Sequence, residues 1–220
     1  MNDRDSALRK VRRLAAASFE NAVRLHEDAV LLFERGRIPS SLHTSALCIE
    51  EIGKYFMHED AWWHNRTGSE WSVREIQEFL SSAYSHTAKH GWFAGQVYHH
   101  FASQALVKLL CDGQLERLKQ RATYVGLPRR GKYADFRKRI VTPFRASKKL
   151  SEELITLVND FFIELSLGVR KGAYGLDIPE VDGWLATEEF EKHFVDLWPV
   201  MRARARRRVS QLRKHPDAER

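Results

Sequence analysis

Apolar positions in this chain recur with the period of a helix almost from end to end. From Asp5 to Arg35 they fall at Leu8, Val11, Leu14, Ala15, Phe19, Ala22, Val23, Leu25, Ala29, Leu32 and Phe33, the i, i+3, i+4 pattern of one buried helical face. Gly36 stops this run. Pro39 with Ser40 and Ser41 restarts the chain as a second helix to about Trp63, with a serine available as N-cap. A loop over Asn65 to Ser72 precedes a short helix, Val73 to Ala83. A third long helix is expected from Ser85 to Cys111, with Gly91 and Gly95 marking a tight crossing, and Asp112-Gly113 breaks it. Another short helix runs through Leu115 and Leu118 to about Ala122.

From Tyr124 to Thr142 the pattern lapses into a basic, glycine-containing loop. Pro143 then opens a strong helix, Phe144 to about Val169, with Ala146, Leu150, Leu154, Leu157, Val158, Phe161 and Leu165 as its stripe. Lys171 to Gly183 reads as irregular. Thr187 with Glu188 and Glu189 caps a last helix through Phe190, Phe194, Leu197 and Met201 into an arginine run, which Pro199 should kink or divide. Strand signals are nearly missing, and there is no internal repeat or low-complexity linker. The expectation is all-α: an antiparallel helical bundle over residues 1–170, then an irregular connector and a basic C-terminal helix (171–220) packed on or extending the same domain.

Composition narrows the class. A chain of 220 residues can bury a proper core, and 43% hydrophobic with 30% charged residues excludes a disordered or fibrous chain. No apolar run approaches the roughly 20 residues of a membrane span, and the first residues carry charges with no apolar stretch behind them, so no secretory signal is expected. Cys48 and Cys111 lie in expected helices without CxxC spacing, which suits buried thiols and a reduced, cytoplasmic setting.

Charge sharpens this picture. The net charge is +7, and the stretch Arg202 to Lys214 accounts for all of it, with Arg204, Arg206, Arg207 and Arg208 at its centre and no acid. A second cluster, Arg129, Arg130, Lys132, Arg137, Lys138 and Arg139, is offset only by Asp135. Two basic clusters on an otherwise balanced chain point to an anionic partner, most simply RNA. Helix-dipole and solubility effects are the plainer alternative.

The chemistry-bearing stretch is Ser41 to Lys54. As a helix it turns Leu42, Ala46, Ile49, Ile52, Gly53 and Phe56 to one side, with His43, Glu50 and Lys54 along the flank and Glu51 further round. On the next long helix, His86, Lys89, His90, Phe93, Val97 and His100 share a sector. If the two helices lie side by side, a carboxylate, ammonium groups and imidazoles converge in one crevice. Glu50 and Lys54 also form an ordinary i,i+4 pair on any helix.

The segments DAVLLFERGR, ALCIEEIGK, SHTAKH and RATYVG, in that order, resemble the AbiV-type abortive-infection proteins, a branch of the HEPN helical superfamily, over roughly Asn21 to Phe162. Glu50-Glu51-x-Gly53-Lys54 and His86-x-x-Lys89 carry the likeness. The resemblance implies a helical bundle, usually a homodimer, that stops phage propagation. Many HEPN relatives are metal-independent ribonucleases whose site forms across a dimer interface. Their signature is an arginine, four to six residues, then a histidine. Here that spacing occurs in the core at Arg37 and His43, straddling an expected helix break at Pro39, so it reads as accidental. His86 with Lys89 is the more natural equivalent, with a lysine in place of the planar guanidinium fork.

His86, Lys89, Glu50, Glu51 and Lys54 are therefore the candidate catalytic residues, with His90, His43 and Arg37 as further candidates. The six basic residues of 129–139 and the four arginines of 204–208 are the candidate RNA contacts. His86-x3-His90 has the spacing of two helical zinc ligands, but HExxH and cysteine ligand spacings are missing. No metal or cofactor is expected. Phosphate loops, GxGxxG and GxSxG are absent from the sequence. Two functions from different classes remain: an RNA-cutting antiphage effector, and a non-catalytic RNA- or protein-binding module. A cellular or phage protein regulator is expected in the first case.

Overall fold

Helices carry most of the described residues in the computed structural model, which describes residues 3–68, 71–98, 102–127, 129–143, 146–174 and 178–214. Among them are α1 (Asp3–Glu34), α2 (Ile38–Arg66), α3 (Val73–Ser81), α4 (His86–Tyr98), α5 (Gln104–Cys111) and α6 (Gln114–Thr123). Two two-residue strands, β1 (Arg129–Arg130) and β2 (Tyr133–Ala134), precede α7 (Lys148–Arg170), α8 (Pro179–Leu185), α9 (Glu188–Leu197) and α10 (Ala203–Lys214). The fold is all-α, as the periodicity implied.

The first two helices form a long antiparallel hairpin. Gly36 ends α1 with φ +69°, a left-handed conformation that favours glycine. Gly36 N donates to Phe33 O and Arg37 N to Leu32 O, which satisfies the carbonyls the helix end would leave open. Helix α2 then starts at once. Pro39 sits in its first turn, where its missing N–H costs nothing. No serine caps it. The N-cap is Arg37 without a side-chain bond, and Ser41 is buried, its hydroxyl donating to Ala29 O (2.8 Å) and meeting Ser151 Oγ (2.9 Å).

One large apolar cluster joins most of the helices, with two smaller ones beside it. Phe19 of α1 meets Tyr55 of α2 and Phe162 of α7 edge-on, at centroid distances of 5.1 and 5.6 Å. The same cluster continues through Phe93 of α4, Leu110 of α5 and Leu115 of α6 to Phe190 of α9 and Val209 of α10. The C-terminal part is tied on by polar bonds: the Arg202 backbone N–H donates to Asp160 Oδ2 on α7, and the Arg213 guanidinium reaches Glu191 at 2.5 Å. No helix among the described residues is long and apolar enough to cross a membrane.

Several expected boundaries moved, each through a local bond. The third long helix is two: α4 ends at Tyr98, and Ser103 caps α5 by accepting from Leu106 N (3.3 Å). A new cap competes with continuation of the helix before it. Gly91 and Gly95 mark no crossing, since a Cβ at either would meet nothing within 4 Å. The Val73 helix stops at Ser81 and tightens into a 3-10 turn, Ser82–Tyr84, after a full capping box of Ser72 with Glu75. Helix α7 begins at Lys148, capped by Ser147 rather than opened by Pro143, so Ala146 lies before it and Phe144 falls outside the described residues. Pro179 starts α8 within the stretch expected to be irregular. Pro199 divides α9 from α10. The basic loop contains a hairpin, with Arg129 opposite Ala134 and Arg130 opposite Tyr133. Cys48 is buried, but Cys111 at the end of α5 is exposed.

Candidate functional site

A close crossing of α2 and α4 builds the site. A Cβ on Gly53 would lie 2.1 Å from Lys89 O, so only glycine lets α2 touch the backbone of α4 here. Glu50 lies one turn before Gly53 on the same face of α2, and His86, Lys89 and His90 share the facing sector of α4. The contact therefore sets Glu50 among those three side chains.

Glu50 is almost completely buried and is the hub. His86 Nδ1 lies 2.7 Å from its Oε2, Lys89 Nζ donates to the same oxygen at 3.0 Å, and Lys119 Nζ of α6 donates to Oε1 at 2.6 Å. His90 Nε2 is 3.5 Å from Oε1, a longer contact than the other three, and its ring is fully buried. Lys119 also binds Glu116 Oε2 at 2.7 Å, and Glu116 comes within 3.8 Å of His86 Nδ1. Two buried ammonium groups thus face two carboxylates, so the cluster balances its charge without calling on the imidazoles.

Burial pushes the Glu50 pKa up, but the contacts from His90, Lys119 and Lys89 outweigh it and hold the carboxyl well below its ordinary value. Burial likewise lowers the pKa of the Lys119 ammonium, while Glu116 and Glu50 raise it by more. The hub therefore stays ionic at neutral pH. His86 differs from its neighbours in exposure: its side chain is 47% accessible, against 8% for Lys89 and 7% for Lys119. A carboxylate behind Nδ1 fixes the ring and leaves Nε2 as the nitrogen able to exchange a proton with something outside.

The other sequence candidates sit elsewhere. Lys54 turns to Glu51 at 2.7 Å rather than to Glu50, because Glu50 faces inward and is held by donors from α4 and α6. His43 Nδ1 meets Thr123 Oγ1 at 2.6 Å, and that hydroxyl also donates to Lys119 O. The break between Arg37 and His43 lies before Ile38 rather than at Pro39: Arg37 is the N-cap of α2 and His43 is inside it, and both line one open concavity of about 420 Å³ with Thr44, Thr123 and Pro143. His100 and the side chains of Arg129, Arg204 and Arg208 fall outside the described residues. Arg130, Lys132, Arg137, Lys138, Arg139, Arg206 and Arg207 are exposed.

Lys119 and Glu116 went unnoticed in the sequence. Their segment, QLERLKQRAT, reads as a short solvated helix, and only its packing on α2 reveals them. Glu50, His86 and Glu116 also offer three metal-ligand atoms within 4.8 Å of one another. Lys119 Nζ already bridges the two carboxylates, so a divalent ion would have to displace an ammonium group; the donor set fits proton transfer better than metal binding.

A family model described as AbiV, of the HEPN group, matches residues 10–161, more than two thirds of the chain and all of the helices that build this cluster. The chain belongs to the AbiV family. A search of curated proteins and a search of solved structures each found no match. AbiV membership suggests a role in abortive infection, the arrest of phage propagation by the infected cell.

Proposed function

We propose that this AbiV protein is a cytoplasmic antiphage effector that cuts RNA without a metal, His86 being its proton-transfer residue. The observation that carries this reading is the His86 Nδ1 to Glu50 Oε2 contact of 2.7 Å beneath a half-exposed ring. In such a cut a base removes the 2′-hydroxyl proton, the 2′ oxygen attacks the adjacent phosphorus, and the bond to the 5′ oxygen breaks as an acid protonates it. His86 Nε2 suits one of the two proton transfers. Lys89 and Lys119 keep Glu50 ionised beneath the ring, so the carboxylate holds Nδ1 while Nε2 faces the strand. A homodimer would set a second His86 across the two-fold axis for the other transfer.

Phage restriction tests the reading. A strain carrying the wild-type gene should block plaque formation, and His86→Ala should restore plaques while the purified variant keeps its helical circular dichroism. His86→Ala that still restricts phage favours the other reading, in which a non-catalytic module acts through RNA or protein binding.

A further inference from the structure

The segment between α6 and α7 keeps aromatic rings where water meets them. Tyr124, Tyr133 and Phe136 are 67%, 80% and 86% exposed, and none belongs to a hydrophobic cluster. The backbone explains the display. Gly131, at φ +62°, allows the tight hairpin that sets Arg130 opposite Tyr133. Asp135 then accepts from Arg137 N through Oδ1 (3.0 Å) and from Lys138 N through its carbonyl (3.1 Å), a closed turn with Phe136 inside it. The only acid among these cations is thereby engaged in its own turn. Arg130, Lys132, Arg137, Lys138 and Arg139 remain exposed around the rings.

At the base of the hairpin, a cleft of about 700 Å³ is lined by Arg117, Gln120 and Arg121 of α6 and by Tyr124 and Val141. Arg117 is the neighbour of Glu116, whose carboxylate comes within 3.8 Å of His86 Nδ1. Cleft and cluster thus occupy adjoining faces of one helix.

We propose that the β1–β2 hairpin, the turn after it and this cleft form a single-stranded RNA platform, with bases stacking on Tyr133, Phe136 and Tyr124 while Arg117 and Arg121 hold phosphates. Rings alternating with cations suit unpaired bases, which offer open faces; a duplex hides those faces and would meet only the charges. The platform rests on the RNA-cutting reading of the site only for the fate of the bound strand. Binding itself needs no His86.

Fluorescence anisotropy with a labelled oligouridylate, free or annealed to oligoadenylate, tests the platform. Wild-type protein should prefer the single strand. Tyr133→Ala with Phe136→Ala should weaken single-strand binding roughly tenfold or more and leave duplex binding nearly unchanged. Arg117→Ala with Arg121→Ala should weaken binding and flatten its salt dependence. Equal affinity for both RNA forms, or an aromatic variant that binds like wild type, overturns the proposal. So does binding to phosphatidylserine vesicles without binding to RNA. Strand binding without cleavage keeps the platform and removes the nuclease reading; cleavage with no loss in the aromatic variant does the reverse.

Discussion

Glu50 is the side chain whose removal should cost most. It is nearly dry, and Lys89 and Lys119 have it as their shared counter-charge. Glu50→Ala strands the buried Lys89 ammonium and leaves Lys119 to Glu116 alone, so we expect a loss of about 3–5 kcal/mol, read from the urea midpoint. Because the folded pKa of Glu50 is depressed, its stabilising effect is complete above the unfolded carboxyl value of 4.5 and is lost as pH falls below it. Asp160 has the opposite sign. Burial raises its pKa to about 7, against the backbone bond from Arg202, so the folded state keeps a proton that the unfolded chain releases. The Asp160 contribution therefore falls as pH rises from about 4 to 7, opposing the rise from buried His26 and His58, whose pKa burial lowers to about 4; Asp160→Asn should remove that opposing slope in thermal melts. Helical spacing and the family resemblance made Glu50, His86 and Lys89 legible in the sequence. Spacing also offered Lys54, which pairs with Glu51, since i,i+4 proximity does not say which carboxylate faces the solvent.

At the scale of elements, the α2–α4 crossing decides whether the site exists. Gly53→Ala drives a methyl into the Lys89 carbonyl, so α4 must shift from α2 and carry His86 with it. The expected result is a loss of about 1–3 kcal/mol in stability, together with loss of phage restriction even though no ionisable group has changed. Sequence patterning found the helices through their apolar stripes, and it placed Gly53 on the apolar face. It chose Gly91 and Gly95 as the crossing because a glycine pair resembles close packing, and only the backbone approach at Gly53 tells them apart. Helix ends were the weaker part. Ser103 and Ser147 set the starts of α5 and α7 through single side-chain bonds that the apolar period does not register.

Across the molecule, the arginine-rich end is partly structural. Arg202 gives its backbone N–H to Asp160 and its guanidinium to Glu153 O (2.7 Å), and Arg213 holds Glu191. Charge counting treated the run as one basic patch, and packing divides it. Arg202→Ala should lower the melting temperature, whereas Arg206→Ala with Arg207→Ala, both exposed, should leave it unchanged and reduce only salt-dependent RNA binding. In the proposed function, a buried carboxylate arms His86 to cut RNA. Incubating total RNA with purified wild-type and His86→Ala protein in EDTA tests it most directly. Fragmentation by the wild type alone, undiminished by EDTA, is the expected result. Intact RNA with both proteins, or equal cutting by both, would contradict it.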